Sequence, residues 1–180
     1  MSELRLIALD TEDLAVVSAQ LQDAVLRVGD LAYLPNDRRF VAIANRFDWL
    51  GAAAGSRDEP SRDVATKSTV LRHPLRKSKF ERRRTALRFE HVKHARLQGI
   101  ALSDKRRVLS LLAVSFVQPD ADQPDGTITL AFSGDAAIAL DVECIECELR
   151  DLGAAWATRS RPHHDLPPDD DVGASDETNS

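Results

Sequence analysis

Residues 126–144 read GTITLAFSGDAAIALDVEC. Large apolar side chains alternate with small or polar ones on both sides of Ser133-Gly134-Asp135. Alternation with a period of two, interrupted by a glycine turn, predicts two antiparallel strands that each bury one face. This stretch therefore predicts a fold built mainly from an antiparallel sheet.

The neighbouring segments add further strands and one helix. Residues 31–47 predict a second hairpin that turns at Pro35-Asn36-Asp37, and residues 108–117 predict another strand. Near the N-terminus, apolar residues spaced three or four apart predict one amphipathic helix that ends at Gly29: Leu14, Val17, Leu21, Val25 and Val28.

These elements predict an α+β fold, a mostly antiparallel sheet or half-barrel of about seven strands with one N-terminal amphipathic helix. Two interpretations stay open for residues 145–152. The spacing of Ile145, Leu149 and Leu152 fits a short C-terminal helix, and a strand with a bulge fits the same residues.

The distribution of charge divides the chain. The net charge of the 180 residues is −5, yet residues 72–84 carry +6 and residues 165–180 carry −6. We expect a single domain over residues 1–160, with a mobile, basic-ended loop insertion at 51–84 and a disordered acidic tail at 161–180.

Composition also suggests where the protein works. No run approaches the ~20 apolar residues that a membrane span needs, and the N-terminus lacks the layout of a signal peptide. Two cysteines cannot form a disulfide framework. We therefore expect a cytoplasmic protein without a membrane partner.

The basic run is the first candidate site. Clustered cationic side chains neutralise phosphates and release counterions, so the run predicts contact with nucleic acid or with an acidic protein surface. A solvated loop is the alternative. The residues concerned are Arg76, Lys77, Lys79, Arg82, Arg83 and Arg84.

A second candidate is the corner Asn45-Arg46-Phe47-Asp48-Trp49, which places polar and aromatic groups at the end of a strand. Arg46 and Asp48 share a strand face and could pair. Asn45, Arg46, Asp48 and Trp49 would then form a ligand site, whereas a structural corner explains them equally well.

Cys144 and Cys147 have the spacing of a metal or redox pair. The flanking glutamates Glu143, Glu146 and Glu148 would raise the pKa of the thiols, so packing is the favoured role. The sequence predicts no cofactor, no metal site and no catalytic residue.

Four strings together resemble a bacterial family known as domain of unknown function 2948. They are LQDAVLRVGDLAYLP at 21–35, NRFDW at 45–49, RRTALRF at 83–89 and DLGAAWAT at 151–158. The resemblance spans roughly residues 4–162 and implies no activity.

The residues therefore favour a non-catalytic binding or adaptor module that contacts an anionic partner through its basic loop. The alternative is an enzyme or small-ligand binder that uses the corner at residues 45–49.

Overall fold

The computed structural model describes residues 4–48, 80–153 and 156–158. One α-helix, one 3₁₀ turn and ten strands make up these residues: β1 (Arg5–Ala8), α1 (Thr11–Leu21), β2 (Val25–Leu34), the 3₁₀ turn (Pro35–Asp37), β3 (Arg39–Phe47), β4 (Phe80–Phe89), β5 (Val92–Gln98), β6 (Val108–Val117), β7 (Gly126–Phe132), β8 (Ala136–Val142), β9 (Cys147–Asp151) and β10 (Trp156–Thr158).

The strands form one antiparallel sheet in the order β1-β9-β4-β3-β2-β6-β7-β8-β5. β10 pairs with the beginning of β4, and β9 pairs with the later part of the same strand. The predicted class, a mostly antiparallel sheet with one helix, is confirmed. The predicted count of seven strands is too low, because the described residues form ten strands, among them two within residues 80–98 and two after residue 146. His91 separates β4 from β5 with a φ of 57°.

The hairpin at residues 126–144 forms as predicted. β7 and β8 pair in register from Gly126↔Val142 to Phe132↔Ala136, and alternate residues of both strands are buried. Gly134 and Asp135 turn the chain with φ values of 73° and 57°. A side chain at Gly126 would come within 2.5 Å of the Phe116 ring, so that position requires glycine.

The helix is shorter than predicted. Asp10 caps α1 by accepting a hydrogen bond from the Asp13 N–H at 2.8 Å, and Leu14, Val17 and Leu21 are its buried residues. The chain leaves the helix at Asp23, whose φ is 62°. Val25 and Val28 belong to β2, because pairing with β3 and β6 outweighs the continuing helical spacing.

Residues 147–151 are a strand, so of the two interpretations left open for residues 145–152 the short C-terminal helix is wrong. Cys147, Leu149 and Asp151 are buried, whereas Glu148 and Arg150 point outward. β9 lies between β1 and β4 and pairs with both. The spacing of the apolar residues also fits a helix, but backbone hydrogen bonds to a strand on each side stabilise the extended conformation.

Part of the predicted loop is also a strand. Residues 80–84 open β4 and pair with β3 and β10. Residues 51–79 of that loop and the predicted acidic tail at 161–180 lie outside the described residues.

The buried apolar side chains form one cluster beneath the sheet, and α1 packs on it through contacts with β1, β3 and β6. No helix among the described residues is both long and apolar enough to cross a membrane.

Candidate functional site: arginines on the two faces of β3 and β4

The two candidate sites found in the sequence meet in the structure. β3 and β4 are antiparallel neighbours, and Arg46 lies directly opposite Arg83. Asn45 lies opposite Arg84 in the same register. Because side chains alternate along a strand, Arg46 and Arg83 point into the protein, whereas Arg82 and Arg84 point outward.

Arg46 is held by Asp151 at the end of β9. Its Nε donates to Oδ1 at 2.9 Å and its Nη2 donates to Oδ2 at 2.8 Å. The side chains are 2% and 0% exposed. Two parallel hydrogen bonds between a guanidinium and a carboxylate give a strong, directional pair.

Two more donors complete the surroundings of Asp151. The Thr85 hydroxyl donates to Oδ1 at 2.9 Å, and the backbone N–H of Leu4 donates to Oδ2 at 3.1 Å. Burial raises the pKa of Asp151, but the hydrogen bonds from Arg46, Thr85 and Leu4 together bring the pKa below its usual value. Asp151 is therefore a fixed anion and is not suited to proton transfer near neutral pH.

Arg83 carries the second buried pair. Its Nε donates to Asp48 Oδ2 at 2.7 Å and lies 3.9 Å from Asp151 Oδ2. The hydrogen bond to Asp48 is the main cause that raises the pKa of Arg83 above its usual value. We call Arg46, Arg83, Asp48 and Asp151 the inner cluster; its two positive and two negative charges balance.

The expected pairing of Arg46 with Asp48 is replaced by pairs with other strands. Arg46 binds an aspartate of β9, and Asp48 binds an arginine of β4. Both residues are nearly fully buried, at 1% and 6% exposure. Trp49, the last member of the predicted corner, lies outside the described residues.

Sequence reasoning missed Asp151 and Thr85. One signal for Asp151 was present, because Cys147, Leu149 and Asp151 continue a period of two that puts a charged residue on a buried face. A buried carboxylate requires a partner, but nothing local indicates which arginine supplies it.

Arginines also mark the other side of the same strands. Arg84 and Arg150 are exposed, and Arg82 is half-buried and donates to the carbonyl of Asn45 at 3.3 Å. Arg150 lies opposite Ala86 of β4 and opposite Arg5 of β1. Of the predicted basic run, Arg82 and Arg84 thus reach the surface, Arg83 does not, and Arg76, Lys77 and Lys79 lie outside the described residues.

Two glutamates neutralise part of this surface. Glu148 pairs with Arg5 at 2.8 Å and with Arg88 at 2.5 Å, and Glu90 pairs with Arg88 and Arg39. The hydrogen bond from Arg5 is the largest influence on Glu148 and lowers its pKa.

We call the outward side of β1, β9, β4 and β3 the arginine face. It carries six arginines and two glutamates, a net charge of +4: Arg5, Arg39, Arg82, Arg84, Arg88, Arg150, Glu90 and Glu148. Within residues 4–48 and 80–153, no carboxylate forms an ion pair with Arg82, Arg84 or Arg150.

A second cluster of positive charges, Lys105, Arg106 and Arg107, lies elsewhere in the fold. Lys105 and Arg107 accept backbone hydrogen bonds from Gly29 and Val28 of β2, and β3 lies between β2 and β4. The loop at residues 99–107 therefore does not extend the arginine face.

The two cysteines are poor nucleophiles. Cys147 is buried, and loss of hydration raises the pKa of its thiol to about 12. Burial, followed by the charges of Glu146 and Glu143, also raises the pKa of Cys144. Among the residues that the structure describes, no group of three or more His, Cys, Asp or Glu side chains could hold a metal ion.

Comparison with known proteins identifies a family. Residues 4–164 match the family model described as protein of unknown function DUF2948. The chain belongs to this family. All members of the inner cluster and of the arginine face lie within the DUF2948 match. No curated protein and no solved structure matches the chain.

Proposed function

We propose that this DUF2948 protein is a non-catalytic cytoplasmic binding module whose arginine face contacts the phosphate backbone of a nucleic acid. The observation that carries the proposal is the net charge of +4 on one side of four adjacent strands, in a chain whose overall charge is −5. The two free thiols, Cys144 and Cys147, are typical of a reducing compartment and support the cytoplasmic location.

The chemistry of the exposed side chains favours phosphate as the group contacted. Guanidinium groups form forked hydrogen bonds with phosphate oxygens and are weakly hydrated compared with ammonium groups. The outward side chains described on β1, β4 and β9 are arginine, glutamate, alanine and isoleucine. Since these side chains offer no ring for stacking on bases, we expect binding with little dependence on base sequence.

The basic segment that precedes β4 in the sequence also favours a phosphate-bearing partner. Residues 72–79 carry Arg72, Arg76, Lys77 and Lys79 and lead directly into β4 at Phe80. A partner that contacts Arg82 and Arg84 is therefore close in sequence to four further positive charges.

The experiment is a titration of fluorescently labelled single-stranded RNA and duplex DNA, followed by anisotropy at several salt concentrations. Release of about three to four counterions by Arg5, Arg82, Arg84 and Arg150 predicts a slope of log K against log salt of about −2 to −4. Arg84→Gln with Arg150→Gln should make the slope shallower by about 1.5 to 2.

The control removes the same number of positive charges elsewhere. Lys93 and Arg106 are exposed and lie on β5 and on the loop that precedes β6. Lys93→Gln with Arg106→Gln should leave the slope unchanged. Equal effects of the two double variants, or no binding of either nucleic acid at low salt, would refute the proposal and direct attention to acidic proteins.

The alternative function, an enzyme or small-ligand binder at residues 45–49, has less support. Arg46 is engaged by Asp151, and Asp48 is engaged by Arg83. Neither group is available to a ligand without breaking a buried ion pair.

A further inference from the structure

A second surface, separate from the arginine face, lies where β5, at one end of the sheet, approaches the β2–β3 hairpin in its middle. A groove of about 340 Å³ opens between β5, the β2–β3 hairpin and the loop at residues 99–107. Phe40 and Tyr33 line it from the hairpin, Ala95 and Leu97 from β5, and Leu102 from the loop. Small-ligand sites have this size and this apolar lining, with a few polar groups.

The groove exists because the β2–β3 hairpin is hydrogen-bonded to β5 only at the beginning of that strand. There, the Val92 N–H donates to the Arg38 carbonyl at 2.8 Å, and the Tyr33 hydroxyl donates to the Lys93 carbonyl at 2.8 Å. Farther along β5, Ala95 and Leu97 pair only with β8 among the described strands. The hairpin and β5 therefore separate there, which leaves apolar side chains at an open seam.

The loop brings a positive charge to the rim of this groove. β2 changes register between Leu26 and Leu31, and within this irregularity Gly29 donates to the Lys105 carbonyl at 3.0 Å. A side chain at Gly29 would lie 3.0 Å from that carbonyl, so glycine permits the close approach. Lys105 lines the groove and forms no ion pair within the described part of the chain.

The neighbouring charges reinforce the positive rim. Asp104 is engaged by the backbone N–H of Arg107 at 3.2 Å, and the Arg107 guanidinium binds the Gly99 carbonyl. Arg106 is exposed. The loop thus adds three positive charges and one negative charge next to an apolar groove.

We propose that this groove binds a small amphipathic carboxylate, with its apolar body on Phe40 and Leu97 and its carboxylate at Lys105. Charge complementarity selects the head group, since Lys105 is the cation among the residues that line the groove. The apolar walls select a hydrocarbon or aromatic body without further polar groups.

Tyr33 provides a direct readout, because it is the only tyrosine in the chain. Full-length protein labelled with 3-fluorotyrosine gives one ¹⁹F resonance, at the wall of the groove. Titration with sodium decanoate should shift this resonance until it saturates. Decanamide, which has the same shape without the charge, should bind about threefold more weakly, because an ion pair at an exposed rim contributes little in water.

Two variants test the assignment. Lys105→Gln should remove the preference for decanoate over decanamide while leaving the binding of decanamide unchanged. Ala95→Trp should fill the groove and abolish saturation. Its matched control is Ala139→Trp, which places the same ring on β8 opposite Arg96, on the other face of these strands.

Three results would overturn the proposal: a shift that never saturates in the wild type, equal affinity for decanoate and decanamide, or a preference for decanoate that survives Lys105→Gln. Circular dichroism of each variant verifies folding. If Ala95→Trp fails to fold, Lys105→Gln alone decides the outcome.

Discussion

Arg83 and its two neighbours, Arg82 and Arg84, are consecutive in the sequence but have opposite physical roles. Arg83 is buried and paired with Asp48, whereas Arg84 is exposed and has no ion pair among the described residues. Removing one partner of a buried pair leaves an uncompensated charge without water, while an exposed charge remains hydrated. The inner cluster should therefore control stability, and the arginine face should control binding.

The largest expected difference separates Arg46 from Arg84. Arg46→Met leaves Asp151 buried without its main partner and should lower the free energy of unfolding by about 3–5 kcal/mol. Arg84→Met should change it by less than about 0.5 kcal/mol. Urea denaturation followed by circular dichroism measures both free energies of unfolding. Similar losses of stability in the two variants would contradict the different roles assigned to the inner cluster and the arginine face.

A rescue experiment sharpens this test. Combining Arg46→Met with Asp151→Leu replaces the buried pair with apolar side chains, which in other proteins is often neutral or stabilising. The double variant should therefore be more stable than Arg46→Met alone. A further loss of stability would show that the remaining hydrogen bonds from Thr85 and Leu4 to Asp151 outweigh the cost of its uncompensated charge.

A smaller difference is expected between two ion pairs of comparable length. Arg83 and Asp48 form a buried pair at 2.7 Å, and Arg5 and Glu148 form an exposed pair at 2.8 Å. Double-mutant cycles with Met for arginine, Asn for Asp48 and Gln for Glu148 should give a coupling energy of about 1–3 kcal/mol for the first pair. The second pair should give about 0–1 kcal/mol, and equal coupling energies would contradict the argument from burial.

The smallest effect concerns Thr85 and pH. Thr85→Val removes one hydrogen bond to Asp151 and should cost about 1 kcal/mol at neutral pH. Thr127→Val is the control, because the Thr127 hydroxyl donates to Asp141 at a partly buried site. The loss of stability in Thr127→Val should be smaller than the loss in Thr85→Val.

The pH dependence follows from the lowered pKa of Asp151. A carboxylate whose pKa is lower in the folded state adds stability above its unfolded pKa of about 3.9 and loses it as pH falls through the folded pKa. The difference in stability between the wild type and Thr85→Val should therefore shrink below about pH 4. Urea midpoints of both proteins, measured between neutral pH and pH 2, would show this decrease. A stability difference that stays constant over this range would mean that the contribution of Thr85 does not depend on the ionisation of Asp151.

Local signals predicted the parts of the fold that depend on neighbours in sequence. The hairpin at 126–144 was correct because its turn residues and its alternation lie within one stretch. The helix was extended too far, because Val25 and Val28 continue a helical spacing that only pairing with distant strands overrides. Residues 147–151 were ambiguous for the same reason.

The site was less predictable, since its decisive contacts are distant. Arg46 and Asp151 are 105 positions apart, and Thr85 and Asp151 are 66 apart. The sequence identified Arg46, Asp48 and the basic run as unusual, and alternation along β4 could have divided Arg83 from Arg82 and Arg84. Only the order of strands shows that Asp151 reaches both buried arginines.

The contact between the Leu4 N–H and Asp151 has a consequence for synthesis of the protein. β1 pairs only with β9 among the described strands, and Leu4 and Asp151 are separated by 147 positions. Contacts between such distant residues slow folding because the intervening chain must be closed first. During translation, β1 therefore remains without its partner strand until residues 147–151 have left the ribosome. The ion pair between Arg46 and Asp151 cannot form before that point either.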